Sequence, residues 1–562
     1  MKLWKRTAAI CLAALVCLSF SAGCSSTQKP EGMELAVCLG SAPETLDPIR
    51  ATEEEDETIL VHLYENLLCA ADGGTGDVTN GMAKRYDAKE QYDGTVIYTF
   101  HLRSAKWSDG RAVTADDFVY AWQRLADPAT QSPNAALLSV VAGYDEVRST
   151  GDPGKLQVTA KNDTTLEVTL TGACPWFLTD VCTAAATMPL RKDVVQKLKS
   201  AAQEANQQAA AAGGQGTATW CSDPTKLVTN GPYTAESYDA SAALVLTASA
   251  TYTGRTVGPD TLRFRFAASA EEAWNLYTAK SVDFVSPLPE SELQNLAKDK
   301  NWAATPELNT NTLLFNTASD PFSDPKVRQA FSLATDRSAL CAAAGTAAQS
   351  ATGLVPYGVP ETESKDFRTA GGDLIGSAPE EYEACCIEAR QLLDQAGYDA
   401  ASDFPSVSLA YVKGGAHAAA AQALTDMWQK ALGIRVKAVG MSEAEFAAAL
   451  DGGKYDLAET DLKGYANDAE SFLREWVSGS EENVVGYRNS AYDTLLAVID
   501  SASDQTARLG CLHDAESLLL QDGPLTPLYF TGTAWALRDN LTGLCRDARG
   551  FFSFVSVMKA SA

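Results

Sequence analysis

The segment TFHLRSAKWSDGRAVTADDFVYAWQR, residues Thr99–Arg124, predicts a strand, a turn and a helix in succession. Its first residues alternate between apolar and polar types, as in a half-buried strand, with Phe100 and Leu102 on one face. The residues Ser108-Asp109-Gly110 then favour a chain reversal, because each of these residue types is common in turns. The segment is therefore typical of a domain that mixes strands and helices.

The helical part of this segment has a recognisable start and an apolar face. Thr114 and Asp117 have the spacing of a capping box, in which each side chain bonds the backbone N–H of the other residue. Phe118, Trp122 and Leu125 recur at helical spacing and fall on one side of the helix. We interpret these residues as scaffold and not as ligand contacts.

The same segment resembles the oligopeptide- and dipeptide-binding lipoproteins that feed ABC importers, known as extracytoplasmic solute-binding family 5. Further motifs carry the resemblance in the family's order: PETLDP at Pro43–Pro48, YENLL at Tyr64–Leu68, TNGPY at Thr229–Tyr233, FNT at Phe315–Thr317 and PFSDPKVRQAFSLATDR at Pro321–Arg337. The resemblance implies an α/β fold of the two-lobed periplasmic-binding-protein type, a clamshell of type II and of the large peptide-binding class.

The resemblance also implies a division of the chain into lobes. Lobe I comprises residues 33–64, 191–308 and 527–562, residues 65–190 form an extra subdomain attached to it, and lobe II comprises residues 309–526. Hydrophobic periodicity between Glu381 and Thr460 independently predicts alternating helices and strands, which is typical of an α/β lobe. The stretch from Ser200 to Thr219, rich in Ala, Gln and Gly, predicts a helix that frays into a loop.

The first residues predict an exported, lipid-anchored protein. Lys2, Lys5 and Arg6 precede an apolar run that is too short for a stable membrane span, so residues 1–23 have the form of a signal peptide. Ser21-Ala22-Gly23-Cys24 resembles a bacterial lipobox, which implies cleavage before Cys24, lipidation of that cysteine and a lipidated tether over residues 24–32. We expect the protein on the extracytoplasmic face of the cell membrane, or in the periplasm of a Gram-negative cell.

Charge and residue types exclude several classes of function. The net charge of -27 argues against nucleic acid as a partner, because phosphate contacts need a basic surface. The four histidines are isolated from one another and there is no Cys-x-x-Cys motif, so we expect no metal and no cofactor. No Gly-x-Ser-x-Gly elbow and no His-Glu-x-x-His motif occurs, and we expect no catalytic residues and no enzyme activity.

The sequence has thirteen cysteines, and their number does not decide whether they form disulfides or stay free thiols. Cys11 and Cys17 belong to the predicted signal peptide, and Cys24 is the predicted lipid attachment site. Cys174 and Cys182 are a local candidate for a disulfide, although connectivity does not follow from sequence. Free buried thiols are an equally good interpretation, because an unpaired cysteine behaves as a small apolar residue.

The identity of the ligand depends on the stretch KGYANDAESFL, Lys463–Leu473. In the family's peptide binders, the position of Tyr465 carries an aspartate that pairs with the α-ammonium group of the ligand. A phenol offers only a neutral hydrogen bond there. Leu462 also departs from the family, which has an aromatic residue at its position. Either Asp461 or Asp468 supplies the carboxylate in a shifted register, or the ligand is a modified peptide, an amine-bearing metabolite or a saccharide.

Other residues complete the set of candidate ligand contacts, namely Glu459, Asn134, Thr52 and Glu443. The acidic run Glu53–Glu57 has two interpretations. It lies where the family places cleft residues and could attract a cationic ligand, or it is a solvated helix start whose acids interact favourably with the helix dipole.

We therefore interpret the chain as a monomeric substrate-binding lipoprotein of an ABC importer. It is expected to capture oligopeptides or a related small solute in a cleft between lobes, and to deliver it to permease and ATPase subunits. Two alternatives stay open, a sensor lipoprotein that uses the same clamshell, and a binder of a non-peptide solute.

Overall fold

The computed structural model describes most of the chain after the predicted tether. The described residues are 32–71, 78–289, 291–292, 302–345, 347–362, 365–376, 379–398, 403–499, 504–547 and 549–560. The predicted signal peptide and Cys24 lie outside these residues, as does the tether except for its last residue. Within the described ranges, no helix combines the length and the apolar character needed to cross a bilayer.

Strands and helices alternate along much of the chain. The strands are β1 Glu34–Cys38, β2 Leu68–Ala70, β3 Val78–Asn80, β4 Ala83–Glu90, β5 Val96–Leu102, β6 Val158–Asn162, β7 Thr165–Leu170, β8 Tyr233–Asp239, β9 Ala243–Ala248, β10 Thr261–Arg265, β11 Phe284–Val285, β12 Trp302–Phe315, β13 Gln349–Ser350, β14 Pro360–Thr362, β15 Lys365–Asp366, β16 Val407–Val412, β17 Val436–Met441, β18 Leu457–Lys463, β19 Leu525–Leu537, β20 Leu541–Thr542, β21 Cys545–Arg546, β22 Phe552–Ser553 and β23 Met558–Lys559. The helices are α1 Glu54–Leu63, α2 Ala115–Ala126, α3 Tyr144–Thr150, α4 Lys192–Ala211, α5 Ala270–Thr278, α6 Pro325–Leu333, α7 Arg337–Ala344, α8 Phe367–Gly371, α9 Tyr382–Gln395, α10 Gly415–Leu432, α11 Glu443–Asp451, α12 Glu470–Leu473, α13 Ser490–Ile499 and α14 Gln505–Asp522.

One large sheet joins the two lobes of the clamshell. Its strands follow the order β17-β16-β18-β12-β19-β11-β1-β10-β9-β8, and β13 pairs with β19. The long antiparallel strands β12 and β19 pass from one lobe into the other, with Trp302 opposite Ala536 at one end and Leu314 opposite Leu525 at the other. The predicted boundaries at 308/309 and 526/527 fall inside these two strands, so paired strands and not free linkers lie at these boundaries.

The two sides of the sheet in lobe II pack against different helices. Leu314 and Ala458 contribute to one hydrophobic core, whereas their neighbours Leu313 and Leu457 contribute to another. This follows from the strand itself, because successive side chains point to opposite faces. One core joins residues of the predicted lobe I and of the predicted extra subdomain, and a second, smaller core lies within the predicted lobe I around Cys38, Tyr277 and Val285.

The segment Thr99–Arg124 folds as predicted and lies in the predicted extra subdomain. Strand β5 lies inside the four-stranded sheet β4-β5-β7-β6, and α2 follows it. The capping box is present, and the backbone N–H of Thr114 donates to Oδ2 of Asp117 at 2.9 Å. Phe118, Trp122 and Leu125 are fully buried, which confirms that they are scaffold.

The other local predictions are largely confirmed. Helix α9, strand β16, helix α10, strand β17, helix α11 and strand β18 follow one another in the predicted order. Asp324 caps α6 by accepting a hydrogen bond from the backbone N–H of Lys326 at 2.8 Å. The Ala/Gln-rich stretch is helical as far as Ala211, and the side chain of Asn206 then bonds both backbone groups of Ala218.

The open question about a local disulfide is answered for Cys174 and Cys182. Both are free thiols. The Cys174–Cys182 disulfide is therefore not formed, and the free-thiol interpretation is correct at these positions. Burial raises the pKa of the Cys182 thiol well above its ordinary value, which keeps it protonated and unreactive.

Candidate functional site: a cavity between the lobes

A cavity of about 520 Å³ lies where lobe I, lobe II and the extra subdomain meet. Its walls include Glu57 of α1, Asn134 of the subdomain, Asn309 of β12, Tyr465 after β18, and Arg546 and Arg549 near the C-terminus. A concave space of this size, formed between lobes, is typical of a small-ligand site. No single segment builds it, so the site exists only when the whole chain is folded.

The acidic run at the start of α1 lines this cavity. Glu53, Glu54, Glu55 and Glu57 contribute to its wall, and Glu57 is only 8% exposed. Asp56 points elsewhere, and its carboxylate accepts hydrogen bonds from the backbone N–H groups of Glu44 and Thr45 at 2.8 and 3.1 Å. The interpretation of the run as a solvated helix start is therefore wrong for its buried members.

The C-terminal segment covers part of the same helix. It packs against α1, and the backbone N–H of Phe552 donates to Oγ1 of Thr58 at 3.1 Å. One turn further on, the backbone N–H of Phe554 donates to Nε2 of His62 at 2.9 Å. Residues close to the end of the chain thus cover a helix close to its beginning.

Burial changes the ionisation of the acids in the cavity wall. Desolvation raises the pKa of Glu54 to about 7 and that of Glu57 to about 8, because a carboxylate loses its hydration inside the protein. Oε1 of Glu54 also accepts a hydrogen bond from Ser286 at 3.0 Å. Both carboxyl groups consequently titrate near neutral pH and can respond to the charge of a ligand.

Two arginines that sequence analysis did not identify face the same cavity. Arg549 pairs with Asp547 at 3.0 Å. Arg546 donates from Nη1 to the carbonyl of Pro306 at 3.2 Å, and its guanidinium lies 5.5 Å from the centre of the Phe552 ring. No sequence motif distinguishes these arginines, because Arg546 ends the two-residue strand β21 and Arg549 follows it in the turn to β22, and tertiary packing sets the position of both.

Tyr465 lies in the cavity wall and contacts the extra subdomain. Its ring meets that of Trp176 edge to face, with 5.8 Å between centres. Close by, the backbone N–H of Asn467 donates to Oδ1 of Asp180 at 2.7 Å. Burial raises the pKa of Tyr465 well above its ordinary value, so the side chain is a neutral phenol at any physiological pH. The segment after β18 thus connects lobe II to the subdomain.

The remaining predicted site residues have different surroundings. Thr52 and Asn134 line the cavity, and Nδ2 of Asn134 donates to the carbonyl of Ala51 at 2.7 Å, which connects the subdomain to lobe I. Leu462 is partly buried against a core of lobe II, whereas Glu443 is exposed in the first turn of α11. Their roles as ligand contacts stay predictions.

Asp468 already forms a salt bridge with Arg508. Both of its carboxylate oxygens accept hydrogen bonds from Arg508, at 2.8 and 2.9 Å, and Arg508 also pairs with Glu470 at 2.7 Å. A bidentate pair of this kind has satisfied its charge and its geometry. Asp468 therefore has little capacity left for a ligand's ammonium group.

Glu459 and Asp461 belong to a polar cluster on one face of the lobe II sheet. Nδ2 of Asn311 donates to both carboxylates, at 2.6 and 2.8 Å, and Nδ1 of His417 lies 3.0 Å from Glu459. The contact with Glu459 raises the pKa of His417 to about 8, which favours the charged imidazolium. Both carboxylates thus lie beside His417: Glu459 is in direct contact with it, while Asp461 lies 3.7 Å from its Nε2 and stays partly exposed.

The arrangement is suited to binding a ligand. Across the described ranges, no group of three or more His, Cys, Asp and Glu side chains is placed to hold a metal ion. The cavity instead brings carboxyl, amide, phenol and guanidinium groups from two lobes around one enclosed space. Two lobes joined by paired strands, with such a cavity between them, define a clamshell solute-binding protein.

The chain belongs to the bacterial extracellular solute-binding proteins, family 5, whose family model matches residues 77–483. Members of this family are binding proteins and not enzymes, so this protein is a binding protein. It is 31% identical to the probable deoxycholate-binding periplasmic protein YgiS of Escherichia coli K12 over 503 residues, which covers 87% of this chain and 86% of that one. It is 30% identical to the periplasmic oligopeptide-binding protein OppA of the same organism, over 87% and 86% of the two chains.

Solved structures agree with this membership. The complex of Haemophilus influenzae OppA with the peptide RPPGFSPFR has a TM-score of 0.75 and 25% identity, and the match covers 95% of this chain and 100% of that one. The murein tripeptide binding protein MppA of Escherichia coli also has a TM-score of 0.75, with 26% identity, over 95% and 99% of the two chains. The predicted two-lobed α/β clamshell is confirmed.

Proposed function

We propose that this protein captures oligopeptides, or a related small solute, in the cavity between its lobes and delivers them to the permease and ATPase subunits of an ABC importer. The observation that carries this proposal is the cavity itself, which both lobes and the extra subdomain enclose together. Lobe II contacts the subdomain at the rim of this cavity. The ring of Tyr465 meets that of Trp176, and the backbone N–H of Asn467 donates to Asp180.

These contacts suggest how ligand binding is coupled to delivery. A ligand that touches both lobes stabilises the closed form, because its affinity for that form exceeds its affinity for the open one. The paired strands β12 and β19 are the proposed hinge. A permease that recognises the closed form then receives only loaded protein.

Peptides are favoured over an anionic steroid by the charge of the cavity. One relative is named for deoxycholate and another for oligopeptides. The acids of the cavity wall are Glu53, Glu54, Glu55, Glu57 and Glu307, and its bases are Lys463, Arg546 and Arg549. Because Glu54 and Glu57 titrate near neutral pH, the wall carries negative and positive charges in similar number at pH 7. A peptide offers both charges to such a wall, whereas deoxycholate offers only a carboxylate.

The expected result of a binding screen is a rise in melting temperature with short peptides and none with deoxycholate. A ligand present at about one hundred times its dissociation constant adds about 2.7 kcal/mol to the free energy of unfolding. Differential scanning fluorimetry on residues 24–562 measures this, and mass spectrometry follows the peptide for cleavage. Conversion of a bound peptide to products, or stabilisation by deoxycholate alone, would contradict the proposal.

We further propose that the protein is held on the extracytoplasmic face of the membrane by lipid on Cys24. Replacing Cys24 by alanine is expected to abolish incorporation of labelled palmitate and to release the protein from the membrane fraction, with the melting temperature of the folded body unchanged. Equal label in the parent and in Cys24→Ala would show that the anchor lies elsewhere.

A further inference from the structure

The wall of the cavity holds two buried acceptor atoms that the protein itself leaves unused. Oε2 of Glu57 and Oδ1 of Asn309 have no hydrogen-bond partner among the residues that the structure describes. Their side chains are 8% and 5% exposed, and both line the cavity. A buried polar atom without a partner destabilises the folded protein, so each such atom calls for an explanation.

The two unused atoms are acceptors, and the same wall also holds two buried donor atoms without a partner among the described residues, Nε and Nη2 of Arg546. Glu307 lines the cavity as well but already accepts from the hydroxyl groups of Thr531 and Thr533. A ligand with a donor group at one end and an acceptor elsewhere matches such a wall. An ammonium group has three donors and a positive charge, so it matches the carboxylate of Glu57 and the amide oxygen of Asn309, which line the same cavity.

We propose that Glu57 and Asn309 form a subsite for an ammonium group of the ligand, which replaces the carboxylate missing at Tyr465. This inference rests on the proposed function, because it says where in the same cavity the ammonium group of a bound ligand lies. It moves the anchoring carboxylate from lobe II to the start of α1 in lobe I. The amide of Asn309 comes from β12, one of the two strands that join the lobes.

The charged groups around Glu57 determine how binding depends on pH. They are Arg549, Asp547, Asp56 and Lys463, and burial outweighs them in setting the pKa of Glu57 at about 8. Glu57 is therefore mostly protonated at pH 7 in the free protein. An ammonium ligand favours the carboxylate, so binding at pH 7 releases close to one proton and becomes tighter as the pH rises towards 8.

The test compares the parent with Glu57→Gln, which keeps the shape of the side chain and removes its charge. The probes are trialanine, N-acetyl-trialanine and N-acetyl-Ala-Lys-Ala. Calorimetry at pH 7, in two buffers with different ionisation enthalpies, gives both the affinity and the number of protons released. We expect Glu57→Gln to bind the amine-bearing probe about tenfold more weakly and to release no proton.

Two controls make the result specific. Glu90→Gln removes an exposed acid of β4, which does not line the cavity, and is expected to change affinity less than twofold. Asn309→Leu removes the second acceptor, and we expect a loss of several-fold without loss of the released proton. Binding of trialanine but not of its acetylated form assigns the subsite to the α-ammonium group, whereas binding of N-acetyl-Ala-Lys-Ala assigns it to a lysine side chain.

The outcomes separate this inference from the proposed function. Equal binding of free and acetylated trialanine by the parent, or equal affinity of the parent and Glu57→Gln, overturns the ammonium subsite and leaves a peptide-binding protein. Failure of the parent to bind any of the three probes overturns the inference for short peptides. If longer peptides fail as well in the binding screen, the proposed function is overturned with it.

Discussion

Replacing Glu516 by alanine is expected to lower the free energy of unfolding of lobe II by about 3 to 5 kcal/mol. Oε1 of Glu516 accepts from Nη1 of Arg368 at 2.6 Å, and both side chains are 0% exposed. The same oxygen accepts from the backbone N–H groups of Leu354 and Val355 at 2.8 and 2.9 Å. The substitution therefore leaves one buried cation and two buried donors without their partner.

Urea denaturation followed by tryptophan fluorescence measures this loss, with the lobe II transition analysed separately if the lobes unfold in two steps. The matched control is Asp87→Ala, which breaks a 2.5 Å pair with Arg85 whose side chains are 64% and 56% exposed. That pair is screened by water and is expected to contribute about 0 to 1 kcal/mol. If both variants lose the same free energy of unfolding, burial of an ion pair does not determine the cost of breaking it.

A double substitution separates the energy of the pair from the cost of a lone charge. Arg368→Met with Glu516→Leu removes both charges and keeps most of the buried volume. We expect it to recover a large part of the loss seen in Glu516→Ala, since apolar replacements of a buried pair are often neutral. A double variant as unstable as the single one would show that the hydrogen bonds to Leu354 and Val355 dominate.

The local structure of this protein follows from short-range interactions that the sequence displays directly. The capping boxes of Thr114 with Asp117 and of Ser442 with Glu445 both form, because each joins residues three positions apart. The order of strands and helices in lobe II is predictable for the same reason. The resemblance to a known family supplied what periodicity alone does not, namely the two lobes and their connection.

The cavity was only partly predictable, because its residues are brought together by long-range pairing. Nothing in the run Glu53–Glu57 indicates which acids are buried; that depends on contacts such as Phe552 with Thr58, between opposite ends of the chain. Asn309 reaches the cavity through the pairing of β12 with β18 and β19. Arg508 neutralises Asp468 from a helix 40 residues away. Sequence spacing does not encode such partners.

The second large effect is expected at Tyr465, where a carboxylate restores the family's anchor in lobe II. Tyr465→Asp places a negative charge in the cavity wall, next to the segment that contacts the subdomain. It also removes the ring contact with Trp176. A comparison with the parent would therefore mix the effect of the charge with the effect of the lost ring. Tyr465→Asn loses the same ring and has nearly the same size as aspartate, without the charge.

Tyr465→Asp is therefore expected to bind trialanine about tenfold to one hundredfold more tightly than Tyr465→Asn does. A hydrogen bond to a charged group contributes about 1.5 to 3 kcal/mol, and each 1.4 kcal/mol is a factor of ten in affinity. N-acetyl-trialanine should bind both variants equally, because it has no ammonium group. Calorimetry with the two peptides measures both comparisons.

The same pair of variants also shows whether the parent already has its anchor in lobe II. If the parent binds trialanine tightly and Asp461→Ala abolishes this binding, the family's carboxylate has only shifted register along β18, and Tyr465 is not the reason for its absence. If Asp461→Ala leaves binding intact while Tyr465→Asp gains affinity over Tyr465→Asn, lobe II lacks an anchor in the parent. Asp468→Ala is less informative, because it removes the partner of the buried Arg508 and destabilises lobe II.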